Sequence, residues 1–243
     1  MKKLLLFSLL ILFAACGTSV STKLANKNYQ KLNDENQIIV LEKTDVLPGN
    51  SEFIGDVKIG DSGFTTDCGY NKVISDVTTA ARNAGGNIIQ ITEIKEPSFF
   101  GSTCYRVKAK IYRNLNSESL SIIISNKNIK NKSRLNEDSD YALIYFYRPN
   151  LAVGSLLGYH IKNTNDSIVG RLRNGEKFVY KTKKFGNQNF YGTLETKSEI
   201  KINVEKGKEY FVRCGVNMGV AIGRPEINIV ENSIGMKEYD KME

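Results

Sequence analysis

Between residues 141 and 231 the chain is cut into short apolar runs by turn signals, and this spacing constrains the fold more than any other feature. Runs at 142–147, 158–162, 167–172, 177–182, 199–204, 210–216 and 227–230 carry the β-branched and aromatic side chains that suit a pleated, half-buried surface. Residues 163–166, Asn174-Gly175 and Lys206-Gly207 separate them as turns, and no window between them has helical periodicity. Such closely spaced strands predict an all-β antiparallel sandwich over 141–235, with 236–243 as a tail.

The first half is patterned differently. Residues 38–41 and 53–59 read as strands separated by Pro48-Gly49. Val73, Ile74, Val77, Ala80, Ala81 and Ala84 then recur at helical spacing, and Gly85-Gly86 supplies a stop. A strand follows at 87–94. In the last strand Tyr105, Val107, Ala109 and Ile111 alternate with Arg106, Lys108, Lys110 and Tyr112. Residues 37–113 are therefore expected to form a small α+β domain, one helix packed on a small sheet. The polar stretch 16–36 reads as a tether and 114–140 as a linker, with the domain boundary inside 126–140. The apolar patch 120–124 reads as a strand belonging to either side.

The N-terminus has its own logic. Lys2-Lys3, an apolar run over 4–13 and Ala14-Ala15-Cys16-Gly17 give the three-part layout of a secretory signal peptide over 1–15. That run is about half of the roughly 20 residues a membrane-spanning helix needs. Leu12-Phe13-Ala14-Ala15-Cys16 resembles the lipobox of bacterial lipoproteins, with Phe13 where that family prefers Leu. The resemblance implies cleavage before Cys16, a diacylglyceryl group on its sulfur and usually an acylated amine, making the membrane a partner through Cys16. An ordinary secreted protein is the alternative. By the sorting rule of enteric lipoproteins, Gly17 in place of Asp points to the outer membrane, with a periplasmic or surface-facing body. Losing Lys2 and Lys3 would lower the formal charge from +8 to +6, a balance that suits an anionic membrane, lipopolysaccharide or acidic glycan. Export makes nucleic acid an unexpected partner.

Composition excludes fibrous, polytopic and wholly disordered classes, since 41% hydrophobic and 25% charged residues are ordinary for a globular chain. With one histidine, His160, no multi-His metal centre can form, and no Gly-x-Ser-x-Gly elbow accompanies it. No carboxylate pair stands out for acid/base work, so no catalytic residue, metal or other cofactor is expected. With Cys16 assigned to lipid, Cys68 and Cys104 read as a disulfide in an oxidising compartment, closing a loop whose chain-entropy value is up to about 4 kcal/mol. Two unpaired thiols are the alternative, and the spacing is far from Cys-x-x-Cys. Cys214 shares strand parity with Tyr210 and Val212, which suggests a buried free thiol.

Two resemblances extend this. Ile54-Gly55-Asp56-Val57, Cys68, Ala81-Arg82-Asn83-Ala84-Gly85-Gly86-Asn87-Ile88-Ile89 and Cys104 resemble the small domain of the Rcs envelope-stress lipoprotein and related heavy-metal-binding-like proteins. That lipoprotein uses two disulfides and this domain can form one, so a sensing role does not carry over. Tyr145-Phe146-Tyr147-Arg148-Pro149, Asn174-Gly175, Lys197-Ser198-Glu199, Gly207-Lys208-Glu209-Tyr210-Phe211 and Gly223-Arg224-Pro225 resemble the domain of unknown function 2846 family. This implies a β-sandwich, often in exported lipoproteins, and brings no catalytic residue.

One candidate binding surface is readable. The pleat through 167–183 places Arg171 and Arg173, then Lys177, Lys181 and Lys183, on one face across the Asn-Gly turn. Val169 and Val179 share that face; Ile168, Leu172, Phe178 and Tyr180 point inward. Such a basic hairpin suits phosphates or carboxylates of envelope polymers; a merely solvated sheet face is the plain alternative. Arg148-Pro149 and Arg224-Pro225 are expected to end sheet pairing, with their arginines bonded to loop carbonyls. The function expected is a non-enzymatic binding or interaction module at the outer membrane, its partner another envelope protein or an anionic surface polymer. An envelope-stress or metal-response sensor is second, and a glycan or peptidoglycan hydrolase third.

Overall fold

The computed structural model describes residues 17–25, 29–63, 67–98 and 100–242; the expected signal peptide and Cys16 lie outside the described residues. Strand is the commonest structure in the described chain, with three helices, and the chain divides into two units at Arg113/Asn114, residues 48–51 and 97–103 clustering with the second.

In the first unit, β1 (Ser19–Leu24), β2 (Ile39–Leu41), β3 (Glu52–Gly60), β4 (Ile88–Lys95) and β5 (Arg106–Arg113) form a sheet in the order β1-β3-β5-β4-β2. All pairs are antiparallel except β2–β4. Helix α1 (Tyr70–Asn83) buries Val73, Val77, Ala80 and Ala81, one stripe at 3.6-residue spacing, against β3, β4 and β5. It ends as its sequence implies. Gly85 takes φ +78°, and the Gly85 and Gly86 N–H groups donate to the Arg82 and Ala81 carbonyls, a Schellman stop. Alternation in β3 and β5 sends Val57, Ile59, Val107, Ala109 and Ile111 into this core.

The expected tether over 16–36 is corrected here, because residues 19–24 form edge strand β1. All six residues are exposed, so the ladder to β3, Ser19↔Gly60 through Leu24↔Gly55, holds the strand rather than burial. A strand without a buried face leaves no apolar alternation to read.

In the second unit, β6 (Ala142–Tyr147), β7 (Tyr159–Asn163), β8 (Ile168–Leu172), β9 (Lys177–Thr182), β10 (Gly186–Thr193), β11 (Lys197–Val204), β12 (Glu209–Asn217) and β13 (Arg224–Val230) form two four-stranded sheets. Their orders are β11-β10-β7-β8 and β13-β12-β6-β9. One hydrophobic cluster draws on both: Ile144, Phe146 and Val212 from the second sheet meet Ile161, Leu172 and Phe190 from the first. Phe146 stacks on Phe178 at 5.1 Å and meets Phe190 edge-on at 5.4 Å between ring centroids.

Several expectations for this half are corrected. Pairing is not wholly antiparallel, since β6 and β12 run parallel. The expected linker over 114–140 belongs to the second unit and contains α2 (Ser117–Lys130), which includes the patch 120–124 read as a strand. The helix is set by its ends: the Asn116 side chain accepts the Ser119 N–H, Glu118 sits in the first turn, and Lys127 and Lys130 sit in the last. Strand β10 was not expected because its Gly and Asn residues have poor strand propensity. The expected tail is largely α3 (Asn232–Lys241), whose Met236 and Tyr239 pack on Tyr147, Phe211 and Val230. Pro225 does not end pairing; it lies inside β13 opposite Val216, tolerated because β13 is an edge strand.

Candidate functional site

The Cys68–Cys104 disulfide is present, joining the residues before α1 and β5 with a Cα–Cα distance of 5.1 Å. The Tyr105 N–H donates to the Cys68 carbonyl, and Tyr70 meets Tyr105 edge-on at 5.7 Å, so both ends of the bridge are held by neighbours. Cys214 is free and buried, and burial pushes its thiol up to about 12, leaving it protonated at neutral pH. His160 is exposed on β7 opposite Arg171. Among the described residues, no group of three or more His, Cys, Asp or Glu side chains could hold a metal ion. No described helix is long and apolar enough to cross a membrane.

The basic hairpin does not form. Strand β8 pairs with β7 and β9 pairs with β6, so the Asn174-Gly175 turn carries the chain from one sheet to the other. Arg171 and Arg173 are exposed with the first sheet. The lysines of the second have structural partners. Lys177 donates to the Tyr239 carbonyl at 3.0 Å and to that of Met242, Lys181 lies over the Tyr141 ring at 3.7 Å, and Lys183 pairs with Asp140 at 2.5 Å. A β-bulge also resets parity in β8: Ile161 pairs with Gly170 and Lys162 with Ile168, skipping Val169. Ile168, expected inward, is consequently exposed, while Gly170 lies against the Phe178 ring, which leaves no room for a Cβ.

What the second unit does bring together is a pair of pinned loops. The buried Arg148 guanidinium donates to the Gly154 and Leu157 carbonyls, each at 2.6 Å, fixing the loop between β6 and β7 as the Arg-Pro reading expected. The loop between β12 and β13 is held by Glu195, whose carboxylate accepts the Val220, Ala221 and Ile222 N–H groups at 3.1, 3.0 and 3.2 Å. Arg224 Nε adds a fourth donor at 3.4 Å. These N–H groups, Ala221 foremost, hold the Glu195 carboxyl at about 2. The loops adjoin where Gly223 lies against Leu157. They turn apolar side chains to solvent: Leu156 is 99% exposed, Val220 85% and Ile222 60%. Isolated exposed apolar residues mean little; here three stand on two adjoining loops, each held by buried or ion-paired polar groups. Sequence reading missed it, although Met218-Gly219-Val220-Ala221-Ile222-Gly223 is an apolar run between strands with no charge to solvate it.

A second cluster lies on the outer face of the sheet that contains β6 and β12. Buried Glu209 accepts the Arg134 backbone N–H at 2.5 Å, Arg134 Nη2 at 3.2 Å and the Tyr145 hydroxyl at 2.8 Å. Burial pushes Glu209 up, but Arg134 and Tyr145 outweigh it and hold the carboxyl below its usual range. Burial first, then Glu209, pushes Tyr145 up to about 12. Tyr145 stacks on Phe211 at 4.6 Å, Arg134 lies over both rings at 5.6 Å, and Tyr239 of α3 meets Tyr145 edge-on. With its carboxylate satisfied and its rings covered, the cluster closes the fold and offers no open acid/base pair.

No family model matches the chain, and neither a curated protein nor a solved structure does.

Proposed function

We propose that this chain is a non-enzymatic cell-envelope lipoprotein, cleaved before Cys16, anchored at the outer membrane by lipid on that residue, and serving as a binding module for another envelope protein. In this reading the first unit is an α+β domain, and the two four-stranded sheets of the second form a β-sandwich like that of the domain of unknown function 2846 family. Anchoring is supported by Leu12-Phe13-Ala14-Ala15-Cys16 behind a basic start and a short apolar run. Binding is supported by one observation above the rest: Leu156, Val220 and Ile222 stand exposed on loops that Arg148 and Glu195 hold in place. Preorganised loops lose little conformational entropy when a partner covers them. A protein partner is favoured over an anionic polymer because Lys177, Lys181 and Lys183 have structural partners instead of converging with Arg171 and Arg173.

Crosslinking in intact cells tests this. The wild-type chain is expected to give a discrete adduct with an envelope protein, and Val220→Asp with Ile222→Asp to abolish it without lowering the melting temperature, both side chains being exposed. An adduct that survives the double substitution, or no adduct from the wild type, defeats the reading.

A further inference from the structure

The five-stranded sheet of the first unit has two unlike faces. One is covered by α1. The other buries Ile39, Leu41, Ile88 and Tyr112 at its β2–β4 end but is exposed across β1, β3 and β5, where strand register sorts its charges into rows. Lys23 opposes Asp56, which opposes Lys110. In the next row Ser21 opposes Lys58, Lys58 opposes Lys108, and Lys108 opposes Glu93. Beyond it Arg106 opposes Lys95. Lys58↔Lys108 and Arg106↔Lys95 are thus like charges placed directly across strands, an arrangement that costs sheet stability. Glu93 offsets part of the cost by pairing with Lys108 at 2.6 Å and Lys95 at 3.1 Å. Lys58 faces no carboxylate, Lys23 and Lys110 flank Asp56 without an ion pair to it among the described residues, and Lys110 lies over the Phe53 ring. Opposed cations on an uncovered face are a cost that a bound anion would relieve.

The reading of Cys16 as a lipid anchor chooses among anions. Gly17 is already joined to the body through the Ser62 hydroxyl, which donates to its carbonyl at 2.6 Å, and the Thr18 hydroxyl donates to Asp76. Strand β1 begins at Ser19. A lipid on Cys16 would therefore have almost no leash, and the sheet edge would sit within about 11 Å of the anchored residue, about one screening length at moderate salt. We propose that this face, through Lys23, Lys58, Lys108 and Lys110, docks on the anionic phospholipid headgroups of the membrane that holds the lipid. The inference rests on the Cys16 reading for its choice of occupant; the face itself can be tested without the anchor.

The chain from Cys16 onward, oxidised and carrying no lipid, is sedimented with vesicles of phosphatidylcholine alone or of phosphatidylcholine and phosphatidylglycerol in equal parts. Binding to the mixed vesicles is expected to be at least about tenfold tighter and to weaken with salt. Lys23→Gln, Lys58→Gln and Lys110→Gln together should reduce it about a hundredfold, at about fivefold per cation, with the melting temperature unchanged or raised. Arg171→Gln with Arg173→Gln should leave it intact. A triple variant that binds like the wild type, equal binding to both vesicles, or binding lost to a soluble acidic polysaccharide in preference to vesicles would overturn the proposal. The anchor is read separately by mass: an unmodified Cys16 with intact vesicle binding sinks the anchoring reading alone, and a lipidated Cys16 with an unaffected triple variant sinks this one alone.

Discussion

The two units solve the same problem with different means. The first buries one face of a five-stranded sheet under a single helix and leaves the other exposed across β1, β3 and β5, and a covalent bridge holds the start of α1 to the start of β5. The second buries inner faces from two sheets in one aromatic-rich cluster and covers an outer face with α3, leaving its one described cysteine free. Where the second layer is incomplete, a crosslink that restricts the unfolded chain adds to what burial supplies.

Four changes break or sharpen that contrast. Phe146→Ala should cost about 4 kcal/mol, lowering the calorimetric transition of the second unit and leaving that of the first in place. Cys68→Ser with Cys104→Ser should cost about 3 kcal/mol and do the opposite. If both changes moved both transitions equally, the units would not be stabilised independently.

Arg134→Met strands the buried Glu209 carboxylate and should cost about 2 kcal/mol at neutral pH, less than a fully enclosed pair because the arginine is half exposed. In the wild type Glu209 is held below its usual range, so its contribution is present above the unfolded value of about 4.3 and is lost as pH falls through the folded value. The penalty in urea unfolding should accordingly shrink on acidification. Glu195→Gln should have the smallest effect on overall stability, yet it should speed amide exchange at Val220, Ala221 and Ile222. Because the wild-type carboxyl is held at about 2, protection there should persist as pH falls below 4 and fail only near that value.

Much of this architecture was legible, and what was not has physical causes. Strands β6 and β9 match the expected 142–147 and 177–182 to the residue, because one face of each is buried and the alternation is strong. Helix α1, its Gly85-Gly86 stop and the disulfide were legible for similar reasons: an apolar stripe, a positive-φ glycine and a cysteine pair in one small domain. Strand β1 was hidden because it buries nothing, and α2 because a run of β-branched isoleucines outweighed its end signals. Of the candidate sites, the hairpin cations were found but not their separation, and the pinned-loop residues Leu156, Glu195, Val220 and Ile222 were not found. Asn174-Gly175 looks like a hairpin turn in sequence, yet whether a turn closes a hairpin or changes sheets depends on partners far along the chain. The Glu195-held loop and the cationic sheet face both arise from partners distant in sequence, to which local patterning is blind.

The most direct test of the anchored-module account is the intact mass of the protein extracted from cell membranes with detergent. A chain that begins at Cys16 and carries diacylglyceryl on that residue is the expected result. A chain that begins at Met1, or one cleaved there with no lipid attached, would contradict it.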